Sequence, residues 1–163
     1  MQPITAGKAV AGAVIVLMLA VLLTLLWHRI QESTFYSQEA PRWSQSIDQL
    51  ERSAVVGETK RIAVQMGDAE CVAYVTPYTS AEAIVRLMGR PTGLGKEIER
   101  MACDDHGSWL LWIKDDHIVA AREVPSRVGL QSMVWWGENE VLVDVQKQVD
   151  AGGQTSLHFR QAR

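Results

Sequence analysis

At 163 residues, 47% hydrophobic and 21% charged, the chain has the size of one domain and a mixed composition that fits a folded protein better than a disordered one. From Ile30 onward fourteen basic residues face nineteen acidic ones, a net of −5, which argues against nucleic acid or anionic lipid surfaces as principal partners. Residues 1–8 are a short hydrophilic tail, and Ala9 to Trp27 follow as nineteen residues without a charge. About 20 apolar residues cover a bilayer's hydrocarbon core as one helix, so residues 9–29 are predicted to be a transmembrane anchor. Lys8, Trp27 and Arg29 would lie at the membrane interface. A cleaved signal peptide competes with this reading, but its apolar core of about 7 to 15 residues ends at a small-x-small site. Leu25-Leu26-Trp27-His28-Arg29 stands here instead. Flanking basic residues are nearly balanced, so charge does not orient the span.

Residues 30–40, "IQESTFYSQEA", are polar and without period and read as a stalk; residues 41–163 read as an α+β soluble domain. Trp43, Ile47, Leu50 and Ala54 recur at helical spacing after Pro41, predicting an amphipathic helix over Pro41–Val55 that Gly57 ends. "KRIAVQM" and "ECVAYVT" read as two strands joined in a hairpin by Gly67-Asp68. Thr79 and Glu82 form a capping box for a helix whose apolar face is Ala81, Ile84, Val85, Leu87 and Met88, stopped by Gly89 and Pro91. After a loop at Thr92–Gly95, "KEIERMA" supplies one or two helical turns. Five strands follow, over Ser108–Lys114, His117–Val124, Ser132–Trp136, Glu140–Val149 and Thr155–Arg160, with turn residues between them. The predicted architecture is α+β: one N-terminal transmembrane helix, then a small domain with an antiparallel meander sheet and two amphipathic helices on one face.

The triplet Asp-Asp-His occurs twice, at Asp104–His106 and Asp115–His117. A seven-residue strand at about 3.3 Å per residue separates them by roughly 20 Å, whereas ligands of one metal lie within about 4 to 5 Å of each other. They do not share an ion, and Asp115-Asp116 reads as a hairpin turn. Cys103, Asp105 and His106 cluster locally, but a thiol near an imidazole without an orienting partner is weak evidence for catalysis. Gly93-Leu94-Gly95-Lys96 echoes a phosphate loop, yet it follows a helix and lacks a Ser or Thr after Lys96. No catalytic, cofactor-binding or metal residues are therefore assigned, and no cofactor is expected. Cys71 and Cys103 are a candidate disulfide, with two buried free thiols as the alternative. Trp109, Trp112, Trp135, Trp136 and Trp43 are candidates for an interaction surface, because neighbours on a strand face opposite sides and some indoles must point away from a single core. Cover by the helix at Pro41–Val55 or by the loop at Pro125–Gly129 is the competing account.

"TSAEAIVRLMGRP" followed by "SWLLWIKDDHIVAAREV" resembles the SmpA/OmlA (BamE-like) module of small envelope proteins, in which a capped helix ending in Gly-x-Pro precedes an antiparallel hairpin carrying aromatics. The resemblance covers Thr79–Val124 and carries over Gly89, Pro91, Trp109 and Trp112. The chain departs from that family in having the predicted membrane helix in place of a lipid-modified cysteine, and two strands before the capped helix. The resemblance implies a non-enzymatic part of an envelope assembly. The sequence thus predicts a single-pass, inner-membrane accessory or scaffold subunit of a secretion, conjugation or assembly complex. Its domain would be periplasmic, with other membrane or periplasmic proteins as partners. An immunity or inhibitor protein that binds a toxin or hydrolase is the alternative, and an anchored enzyme using Cys103 and His106 is the third class.

Overall fold

A computed structural model describes residues 6–103, 107–124, 130–149 and 151–162, with the backbone alone described at 6–12, 29, 32 and 33. Helix α1 (Ala6–Ser53) is followed by strands β1 (Thr59–Gln65) and β2 (Cys71–Val75) and by helices α2 (Ala81–Met88) and α3 (Gly95–Ala102). Strands β3 (Ser108–Lys114), β4 (His117–Val124), β5 (Met133–Trp136), β6 (Glu140–Val149) and β7 (Thr155–Gln161) complete the chain. Two compact units divide within α1, Met1–Phe35 and Tyr36–Arg163.

In the first unit, the transmembrane anchor is overturned. Among the described residues no helix is long and apolar enough to cross a membrane. The single-pass inner-membrane localisation falls with it. Helix α1 also runs unbroken through the predicted stalk. The reason lies in the second unit, where Tyr36, Ala40, Trp43, Ile47 and Leu50 are buried at alternating spacings of four and three, one stripe that begins before Pro41. Pro41 removes a backbone donor inside the helix, but it sits on the exposed side.

Two antiparallel sheets replace the single meander: a three-stranded sheet in the order β1-β6-β7 and a four-stranded sheet in the order β4-β3-β2-β5. No hairpin forms at Gly67-Asp68, because β1 pairs with β6, and β2 pairs with β3 and β5. All five residues of β2 are buried, so that strand needs a neighbour on each edge and cover on each face. By contrast β1 alternates inward Ile62 and Val64 with exposed Arg61 and Ala63, as suits a sheet with one solvated face. The chain changes sheets between them, with the Met66 N–H donating to the Asn139 carbonyl at 2.9 Å and the Glu70 N–H to the Ile113 carbonyl at 2.9 Å.

Each face of the four-stranded sheet meets a different partner. Cys71, Ala73, Val75, Leu111 and Ile113 pack on Ile84 and Met88 of α2 and Ile98 and Ala102 of α3. Val72, Tyr74, Leu110, Trp112 and Trp135 lie on the opposite face, toward α1. Trp43 of α1 reaches both sheets, its ring centroid 5.0 Å from Tyr74 and 6.5 Å from Phe159 of β7. Helix α2 opens on Ser80, one residue after the predicted cap, with the Ser80 hydroxyl accepting the Ala83 N–H at 3.2 Å. It closes on Gly89 at φ 67°, the left-handed cap that glycine adopts without penalty.

Candidate interaction surfaces

The tryptophans divide between the two faces of the four-stranded sheet. Trp112 and Trp135 are buried beneath α1, whose own buried Trp43 lies 6.2 Å from Trp135 and whose Tyr36 meets Trp112 at 5.2 Å. The Trp112 indole donates to the Gln65 carbonyl at 3.1 Å, whereas the indole N–H groups of Trp43 and Trp135 find no partner among the described residues. Trp109 and Trp136 are half-buried on the far face beside the α2–α3 core, and the Arg90 guanidinium sits 5.1 Å from the centre of the Trp136 ring. The structure therefore does not gather the five indoles into one patch. Tyr36 and Glu39, which the sequence reading left in the stalk, fasten α1 to the strands: the Tyr36 hydroxyl donates to Asp68, which also accepts from Lys114, and Glu39 accepts the Gln65 N–H at 3.2 Å. Burial holds the Glu39 carboxyl above its ordinary range, against the opposing pull of the Gln65 N–H and Arg42.

The predicted disulfide is overturned as well. Both cysteines are free: Cys71 is buried in the core, paired across the sheet with Ile113 and Trp136, while Cys103 is exposed at the C-cap of α3. Burial pushes the Cys71 thiol up to about 12, so it stays protonated and inert. The periplasmic placement, which rested on the anchor and the bridge, goes with them. Asp104, Asp105 and His106 lie outside the described residues, as does the loop at Pro125–Gly129. The second triplet is structural: Asp115 and Asp116 at φ 48° and 59° turn β3 into β4, and Asp116 accepts from the Thr92 hydroxyl at 2.8 Å and the Gly93 N–H at 3.3 Å. The Thr92 bond, then the Gly93 bond, hold the Asp116 carboxyl below its usual range. Among the described residues no three His, Cys, Asp or Glu side chains are placed to share a metal ion.

A cleft of about 690 Å³ opens at the start of α2, between Thr76–Ser80, Arg86, Leu87 and Ser132. Thr76, Thr79 and Ser132 form a triangle of hydroxyls with edges of 2.7 to 3.2 Å at its base. Thr79 also donates to the Thr76 carbonyl at 2.7 Å, and the Ser132 oxygen accepts the Thr76 N–H at 2.9 Å. These bonds brace the end of β2 against Ser132, the residue before β5. Tyr78 stands on the rim, 69% exposed, with φ at 63°.

No family model, curated protein or solved structure matches this chain. In the first unit, every large hydrophobic residue described from Val14 to Trp27, together with Ile30, is exposed by 47 to 67%. Of the interface residues expected there, Trp27 is 66% exposed, and the side chains of Lys8 and Arg29 lie outside the described residues.

Proposed function

We propose that the protein is a non-enzymatic accessory subunit of a multiprotein assembly, held in place by apolar helices of partner subunits that enclose the N-terminal part of α1. The observation that carries this reading is the unbroken exposure of the residues from Val14 to Trp27. Exposed apolar patches of a few hundred Å² already mark contact surfaces on soluble proteins. A helix that is apolar around its whole circumference is stable only when buried on all sides, so one groove on one partner leaves part of it wet.

Photoreactive residues placed singly at Leu17, Met18 and Leu19 in the full chain, in its own cells, test the reading, because successive residues step by about 100° and sample every side of the helix. Adducts to polypeptide at all three positions, abolished together by Leu22→Glu, are expected. Adducts confined to one position would overturn enclosure by several helices. Labelling of lipid alone, or flotation of the purified chain with phosphatidylcholine vesicles, would overturn the reading altogether.

A further inference from the structure

We infer that the cleft at the start of α2 is a docking site for a polypeptide segment that carries a carboxylate beside an apolar side chain, with Arg86 and Tyr78 as its recognition residues. This site lies in the second unit and does not depend on the role proposed for α1. Tyr78 is the first argument. A bulky residue in the left-handed region is an outlier that costs about 1–3 kcal/mol, and glycine or asparagine would remove that cost. Its backbone N–H is held by the Ala102 carbonyl at 2.7 Å, but its side chain is exposed and packs in no core. Folding does not account for a tyrosine there, whereas an aromatic wall for a ligand does.

The ligand's chemistry follows from what the cleft leaves unused. With Thr79 donating to a carbonyl, the other edges of the hydroxyl triangle consume the protons of Ser132 and Thr76, so the cleft base offers lone pairs and wants N–H donors. Arg86 is exposed, and its guanidinium makes no hydrogen bond or ion pair among the described residues beyond its longer-range attraction to Glu82, whose carboxylate is engaged by Ser80 and by its own backbone. Its planar fork of donors suits a carboxylate. Pro77, Ala83 and Leu87 supply apolar wall. Inorganic phosphate would bring further lone pairs to the acceptor base and nothing to that wall. A neutral saccharide would leave Arg86 unanswered. A peptide supplies amide N–H groups, a carboxylate and an apolar side chain together, one for each part of the lining.

The test is amide and guanidinium NMR of the ¹⁵N-labelled full chain, titrated with three acetyl pentapeptide amides that place glutamate between two leucines, two valines or two phenylalanines. Their glutamine analogues, inorganic phosphate and diacetylchitobiose are titrated in parallel. Saturable shifts at Thr76, Tyr78, Ser132 and the Arg86 side chain are expected with at least one glutamate peptide, about tenfold weaker with its glutamine analogue. Arg86→Gln should weaken the glutamate peptide by a similar factor. Tyr78→Gly should weaken it at least tenfold while leaving Tm no lower. No saturable shift with any of the three peptides, equal binding of the glutamine analogue, or tighter binding of phosphate or chitobiose at the same residues would overturn the proposal. So would a Tyr78→Gly variant that binds normally.

Discussion

Two cysteines of one chain differ in chemistry because of a few ångströms of packing. Cys71 is fully buried, and desolvation is the largest cause of its raised thiol pKa, with the neighbouring Glu70 carboxylate adding to it. Cys103 ends α3 in solvent. A rise from 9.0 to about 12 cuts the thiolate fraction near pH 8 by roughly 1,000-fold, on top of steric protection. Maleimide added to the native chain without reductant should therefore modify one thiol per molecule, mapped to Cys103 by mass spectrometry. The second thiol should react only when guanidinium unfolds the protein. A native chain with both thiols blocked until reduction would restore the bridge and show this core to be wrongly packed.

Among the elements, α2 shows what a local signal specifies and where it stops. The run Thr79-Ser80-Ala81-Glu82 announces a helix start, and the helix is there, but the cap is Ser80 because Thr79 turns inward to the hydroxyl triangle. Ser80→Ala should cost about 1 kcal/mol in urea unfolding, and Ser80→Asp, whose carboxylate caps as well, should cost little. Equal losses from the two would mean that the serine serves something other than the helix. The same distinction explains what was legible. Strand limits fell within a residue or two of their turns, because Gly and Asp positions and apolar alternation are local properties. Strand partners were not, since β1 answers to β6 across some eighty residues and alternation names a face without naming who covers it. Tyr36 was recoverable in principle by extending the four-three spacing of Trp43, Ile47 and Leu50 backward past Pro41. The Arg86–Tyr78 cleft was not, because a left-handed tyrosine leaves no mark in sequence.

For the whole molecule, one helix has two unlike halves, and this sets where substitutions are felt. Trp43 closes the space between the sheets, touching Tyr74, Trp135 and Phe159, so it joins elements that do not pair with each other. Truncating a fully packed aromatic costs about 3–5 kcal/mol. Its indole N–H has no partner among the described residues, so Trp43→Phe forfeits volume but no hydrogen bond seen there and should cost less. Trp27 sits on the same helix at 66% exposure, in the unit that ends at Phe35. Trp27→Ala should leave the unfolding midpoint of the second unit within experimental error. Near-ultraviolet circular dichroism on thermal melting of the full chain separates these cases, because the signal of the clustered indoles reports the packing around Trp43. A large fall in midpoint for Trp43→Ala, a smaller one for Trp43→Phe and none for Trp27→Ala would place the fold's stability in the second unit and leave the first half of α1 for contact. If Trp27→Ala destabilised the core as much as Trp43→Ala, the apolar half would be part of the fold, and its exposure could no longer argue for partner subunits.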